Sequence, residues 1–265
     1  MEIREITCKT ALSKSSLPGL DYSLNPYRGC QHKCAYCYVP NVLRIPRSKW
    51  GCFVDIKMNI PVILSKELKK KKPGVVGIST VTDPYQPAEK KYQLTRYCLE
   101  QLLRYDFPIS VQTKSSSVVR DIDIISEFSD AEVMMSIATL NEDERRLLEP
   151  HSSSIQERLD ALRKYSNTEV KTSVFFGPIY PTIKNEELTR TIDVFIECDV
   201  SEIVIDIFHL KPGIWENIES VLYKNPNILE IFSKNLLIDK NYHIHLRNSI
   251  LKIGEKRKVK IIDAF

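Results

Sequence analysis

From residue 74 onward, short β-branched runs alternate with longer stretches of helical periodicity, and this rhythm restricts the fold more than any other feature. GVVGIST (74–80), PISVQTK (108–114), EVMMSIAT (132–139), EVKTSVFFG (169–177) and SEIVIDIFHL (201–210) read as strands. Between them, residues 91–105 carry Leu94, Cys98, Leu102 and Tyr105 on one stripe, and residues 118–128 read as a second helix. Ile155, Leu159 and Leu162 mark a third helix, Leu188, Ile192, Phe195 and Ile196 a fourth, and a helical stretch runs from Trp215 to Leu237. Strands that are apolar almost throughout, alternating with helices, predict a parallel sheet covered on its outer face. With one more strand before residue 30, the count reaches about six units, short of a closed eight-fold barrel. The expectation is an α/β fold: a partial barrel open on one side. A chain of 265 residues that is 43% apolar has material for such a core. The boundaries expected are an N-terminal arm (1–22), the barrel (23–237) and a C-terminal extension (238–265).

Ahead of the rhythm lies NPYRGCQHKCAYCYVP, with Cys30, Cys34 and Cys37. Thiolates are soft ligands, and three on one loop suit a zinc ion or an iron–sulfur cluster. Three thiolates can hold three irons of a four-iron cubane and leave the fourth iron open. Zinc usually takes four donors, often as two Cys pairs, and no second pair exists here. His32 is poorly placed to complete a tetrahedron with all three thiols. A disulfide framework fits less well, because seven Cys is an odd number in a long chain. The opening MEIREITCKT carries charges where a secretory signal needs an apolar stretch. A reducing cytoplasm is therefore expected, and no run of 18 apolar residues predicts a membrane span. The ligand logic favours a cluster, with a non-enzymatic zinc module as the alternative.

Polar residues recur where the predicted strands end: Thr80, Thr82 and Asp83, then Ser110, Gln112 and Lys114, then Ser136 and Thr139, then Asp206 and His209. The carboxyl ends of barrel strands are where ligand sites form, and the recurrence on successive strands points to one shared site. The net charge of +4 does not single out a nucleic-acid binder, although Arg28, Arg44, Arg47 and Lys49 gather around the Cys loop. The lysine run in KELKKKKPG (66–74) reads as a solvated helix end, and the basic EKRKVK near the C-terminus as the finish of a helix. Cys98 and Cys198 read as small buried hydrophobes. Cys8 lies in the N-terminal arm, and Cys52 is the weak candidate for a catalytic redox thiol.

The segments LPGLDYSLNPYRGCQHKCAYCY, TDPYQPAEKKYQLTR, TKSSSVVRDIDII and IYPTIKNEE, in that order, resemble the spore photoproduct lyase-like branch of the radical SAM superfamily, often labelled DNA repair photolyases. The resemblance spans roughly residues 7–210. It implies a partial (β/α)6 TIM-like radical SAM barrel. It also implies a [4Fe–4S] cluster on Cys30, Cys34 and Cys37, with S-adenosylmethionine (SAM) on the open iron. By the same resemblance the SAM-binding residues are Tyr36, Thr82, Asp83, Lys114 and Ser136. The implied activity is reductive cleavage of SAM to a 5′-deoxyadenosyl radical, which abstracts hydrogen from a substrate. The implied partners are an electron donor such as flavodoxin or ferredoxin, and nucleic acid as the substrate, with a peptide or small metabolite as the alternative. One departure is visible. The lyase carries a hydrogen-donating Cys just ahead of the turn that follows its second strand, and here Thr80 and Val81 stand there. A hydroxyl is a poor hydrogen-atom donor beside a thiol, so reversal of the spore photoproduct by that route is not expected. After about residue 211 the lyase's lesion-binding hairpin has no recognisable counterpart.

Overall fold

The computed structural model describes residues 1–264. Its strands are β1 (Glu2–Ile6), β2 (Leu12–Lys14), β3 (Tyr22–Leu24), β4 (Tyr27–Arg28), β5 (Phe53–Lys57), β6 (Val76–Ile78), β7 (Ile109–Thr113), β8 (Ala131–Ser136), β9 (Lys171–Phe176), β10 (Glu202–Ile205) and β11 (Ile261–Asp263). The main sheet runs β11-β10-β9-β8-β7-β6-β3-β2. Every neighbour from β3 to β11 is parallel, and β2 alone runs antiparallel, against β3. The two edge strands do not pair with each other, so the barrel stays open. The six units of the sequence rhythm are β3 and β6 to β10. A further parallel strand, β11, extends that sheet, and β1, β5 and β4 form a small separate sheet.

The helices are α1 (Val39–Leu43), α2 (Ile60–Leu68), α3 (Glu89–Tyr92), α4 (Leu94–Leu103), α5 (Ile122–Ile125), α6 (Glu142–Leu148), α7 (Ile155–Tyr165), α8 (Asn185–Ile196), α9 (Ile214–Leu222), α10 (Pro226–Ser233) and α11 (Tyr242–Arg257). Helices α4, α7 and α8 bury most of the stripe the sequence predicts, but Tyr105 lies beyond α4 and is exposed, and Ile196 is only half-buried. Leu94, Cys98 and Leu102 of α4, Ile155, Leu159 and Leu162 of α7, and Leu188, Ile192 and Phe195 of α8 are all buried. They pack on Val76, Ile109, Val111, Val133, Met135, Val174, Phe176 and Ile203 of the sheet to form the main core. A fully buried aliphatic side chain of this kind contributes roughly 1.5–3 kcal/mol. Among the described residues no helix is long and apolar enough to cross a membrane.

Alternation along each strand gives the sheet two different faces. In β7, Ile109, Val111 and Thr113 are buried while Ser110 and Gln112 are half-buried. In β8, Val133 and Met135 are buried while Glu132 and Met134 are half-buried. The apolar set faces the helices. The polar set lines the inside of the barrel, where Ser110 and Ser173 both donate to Glu132, at 3.0 and 2.7 Å.

Two helical expectations are corrected. Residues 118–128 form a tight turn followed by the four-residue α5, because Asp121 is drawn into the protein. Asp121 accepts from Tyr85 Oη at 3.0 Å, from Arg96 at 2.9 Å and from Arg120 at 2.6 Å, and these tertiary bonds outweigh helix propensity. The stretch from Trp215 to Leu237 is broken into α9 and α10, since Pro226 can start a helix but not continue one, and it ends in a π-helical turn over Lys234–Ile238. Strand β10 also stops early, at Ile205: Asp206 turns the chain by accepting its own neighbour's Ile207 N–H at 2.8 Å.

Candidate cofactor site

Residues 29–38 form the Cys loop between β4 and α1. Gly29 opens it at φ +90°, and a Cβ there would stand 2.4 Å from the Phe53 carbonyl oxygen, so only glycine lets the loop lie against β5. Lys33 also adopts a left-handed conformation. The Cys37 N–H donates to the Cys34 carbonyl at 3.2 Å, closing a turn between two of the thiols.

Several elements clamp this loop. Thr82 Oγ1, just beyond β6, donates to the Gly29 carbonyl at 2.6 Å and accepts from Gln86 Nε2 at 2.9 Å. Gln31 N–H donates to Gln86 at 2.9 Å, and the Gln31 side chain accepts from Ala88 N–H at 2.5 Å. On the other side, Ala35 N–H donates to the Leu148 carbonyl at 2.8 Å, Asn217 donates to the Ala35 carbonyl at 2.6 Å, and Arg47 to the Cys37 carbonyl at 2.9 Å. The loop is thereby pinned to the turn that follows β6, to the end of α6 and to α9.

Three thiols on one loop are soft donors of the kind that hold an iron–sulfur cluster. Among the described residues no three His, Cys, Asp or Glu side chains are grouped to hold a metal ion. Thiolates on a cubane each bind a different iron and stand apart, whereas zinc ligands converge on one point. Burial raises the Cys30 thiol to about 12, with the nearby Asp83 adding to the effect. Burial also raises Cys34, reinforced by Glu149 and opposed by Lys114, and it raises Cys37. Iron binding must therefore release protons. The N–H groups of His32 and Asp83 favour the Cys30 thiolate, and that of Val39 favours the Cys37 thiolate. The Trp50 Nε1 is buried without a hydrogen-bond partner in the protein. Donors of this kind beside metal-bound sulfur tune a cluster.

Asp83 is buried and engaged on both oxygens. One accepts from Tyr85 N–H at 2.9 Å and Thr113 Oγ1 at 2.7 Å, and the other from Lys114 N–H at 2.8 Å. His32 Nδ1 approaches Asp83 at 3.2 Å, an ion-pair distance without hydrogen-bond alignment. Burial pushes this carboxyl up, but His32 and the three hydrogen bonds win and hold it at about 2. Lys114, one residue beyond β7, carries Nζ 5.8 Å from the centre of the Tyr36 ring. Burial lowers its ammonium, Glu149 and Cys34 raise it, and the net direction is up. Ser136 ends β8, buried, within 3.4 Å of Gln112 Nε2.

The predicted residues Tyr36, Thr82, Asp83, Lys114 and Ser136 thus gather around the Cys loop at the strand ends. Cys52 stands apart, exposed, with its thiol 3.7 Å from the Ser48 carbonyl. Asp206 and His209 pair at 2.9 Å beyond β10. Sequence reasoning missed Glu149 and Arg158. Tyr36 Oη donates to Glu149, and Arg158 pairs with the same carboxylate at 2.5 Å with both side chains fully buried. No local pattern in LLEPHSSS announces such a pair.

A three-thiol loop clamped over the carboxyl ends of a parallel open barrel defines the class. Residues 24–195 match the family model of the radical SAM superfamily. The chain belongs to that superfamily, is an enzyme of the radical SAM class, and by that membership uses SAM and an iron–sulfur cluster. It is 34% identical over 189 residues to an uncharacterized protein of Methanocaldococcus jannaschii, covering 71% of each chain. It is 26% identical over 167 residues to a radical SAM Nα-GlyT isomerase of Pseudomonas phage M6, covering 62% of this chain and 34% of that one. Its fold matches that of a spore photoproduct lyase variant with bound AdoMet and dinucleoside spore photoproduct. That match has a TM-score of 0.71 at 16% identity and covers 99% of this chain and 82% of the lyase.

Proposed function

We propose that Cys30, Cys34 and Cys37 hold a [4Fe–4S] cluster and that Tyr36, Thr82, Asp83, Lys114 and Ser136 form the SAM site beside it. When bound, the cluster supplies the electron that cleaves SAM to methionine and a 5′-deoxyadenosyl radical, which takes hydrogen from the substrate. Lys114 offers an ammonium for the SAM carboxylate. The half-buried Tyr36 ring, edge-on to Tyr180 and Phe208 at 6.0 and 5.6 Å, supplies an apolar wall. Thr82 and Asp83 serve through the turn they build. Thr82 straps that turn to the Cys loop and Asp83 to Lys114, so their part is to hold the site's register. The single observation that carries this reading is the Cys loop strapped by Thr82 to the turn after β6, with Tyr36 beside Lys114 and linked through Glu149 and Arg158 to Ser136.

For the substrate, nucleic acid is the favoured class. Its support is the fold shared with an enzyme bound to a dinucleoside spore photoproduct. A thiol-dependent return of hydrogen is not part of this reading. Thr80 lies two residues beyond β6, where its carbonyl accepts from Tyr38 Oη at 3.3 Å. Residues 22–54 contain five Lys or Arg and no Asp or Glu. A cavity of about 490 Å³ on the Cys34 side is lined by Lys33, Arg47, Trp50, His151 and Asn217. That basic face suits an acidic electron donor such as flavodoxin or ferredoxin, acting in a reducing cytoplasm. The test is Cys34→Ala, assayed without oxygen for bound iron and for 5′-deoxyadenosine. The variant should lose most of its iron and all SAM cleavage, and a variant with full cleavage would overturn the cluster assignment.

A further inference from the structure

Arg158 on α7 is the largest fully buried side chain among the described residues. Its guanidinium does not serve the apolar core, which Leu159 and Leu162 fill from the same helix. Instead it reaches the strand ends. Nη1 donates to the Ser136 carbonyl at 2.8 Å, Nε to the Ser153 carbonyl at 2.9 Å, and Nη2 to Glu149 Oε2 at 2.5 Å and to Ser152 Oγ. Ser153 N–H in turn donates to the Lys114 carbonyl at 3.2 Å. The other oxygen of Glu149 accepts from Tyr36 Oη. One ion pair therefore joins the Cys loop, the residue that ends β8 and the residue that follows β7.

We propose that Glu149 and Arg158 are a positioning pair that sets Tyr36, Lys114 and Ser136 in register with the Cys loop for SAM binding. This inference rests on the reading of those three residues as SAM contacts. Two physical arguments support it. Buried ion pairs contribute little net stability compared with apolar replacements of similar volume, so stability alone does not explain the pair. The donors of Arg158 also go to main-chain and hydroxyl oxygens at the strand ends and the adjoining loop, where a small displacement moves the site and not the core. Groups behind a metal site that orient its first ring of contacts commonly matter by about tenfold or more.

Glu149→Gln keeps the side-chain volume and an acceptor for Tyr36 but removes the charge that faces Arg158. Wild type and variant, both reconstituted without oxygen, are compared for iron per chain, for the SAM dissociation constant by equilibrium dialysis, and for the change in the EPR signal of the reduced cluster on adding SAM. The expected result is wild-type iron content, a dissociation constant raised about tenfold and a diminished EPR change. Iron-loaded Glu149→Gln protein with wild-type SAM affinity would overturn the proposal. Tyr36→Phe tests the same link from its other end without stranding a buried charge, and it decides the matter if Glu149→Gln does not fold. A raised SAM dissociation constant in Tyr36→Phe supports the proposal and an unchanged one overturns it. Wild-type protein that loads iron yet binds no SAM would instead overturn the cofactor reading, a result distinguishable from any variant effect.

Discussion

At the residue scale, Asp83 makes a pH-dependent statement. Its carboxyl lies at about 2, against an ordinary 3.8, because His32, Thr113 and two backbone N–H groups stabilise the charged form more than burial opposes it. A carboxyl lowered on folding contributes stability that is fully present above the unfolded value and lost as pH falls through the folded one. The contribution at neutral pH is about 2 kcal/mol. Asp83→Asn should cost about that much at pH 7, and the gap to wild type should narrow as the pH is lowered from about 4 towards 2. Urea unfolding across this range checks it, and a gap that stays constant contradicts it. Residues of this kind were partly legible. Cys30, Cys34 and Cys37 declare themselves by local spacing, and Lys114 and Ser136 by ending alternating strands. The hydrogen bonds that Asp83 accepts from Thr113 and Lys114 were not legible, nor was the pairing of Glu149 with Arg158. Asp83 bonds Thr113, 30 positions away, and Glu149 bonds Tyr36, 113 positions away; Arg158 lies nine positions from Glu149, but no local pattern marks the two as partners.

At the element scale, the Cys loop owes its seat to Gly29. Substitution by Ala forces a left-handed φ on a residue with a Cβ and drives that atom into the β5 backbone at Phe53. Gly29→Ala should cost more than about 1 kcal/mol and lower the iron retained after reconstitution. Unfolding midpoint and iron content measure the two effects, and wild-type values for both would contradict the account of the loop. Helices α4, α7 and α8 were readable because each keeps a long apolar stripe. The segment at 118–128 was not, because Asp121 trades helical continuation for bonds to Tyr85, Arg96 and Arg120. Strands β1 and β11 were missed because they are short and half or fully exposed, with no alternation to betray them.

At the scale of the whole molecule, a parallel sheet left open at both edges keeps its helices outside and its polar side chains within. The apolar outer face carries the stability, which leaves the inner face free to be chemical. The Cys loop is strapped to the turn beyond the carboxyl end of β6, so the topology sets where the proposed cofactor site lies. The sequence rhythm disclosed this architecture because the strand–helix alternation is long-range order written locally. The cover formed by α9 and α10, packed through Phe208 and Phe232 onto Tyr180 and Ala35, was not so written. The most direct test uses wild-type protein purified without oxygen. Iron and sulfide are determined first, and 5′-deoxyadenosine formed from SAM under a strong reductant is measured next. The account predicts brown protein with about four irons per chain and deoxyadenosine as product. Colourless protein carrying one zinc and forming no deoxyadenosine would contradict it.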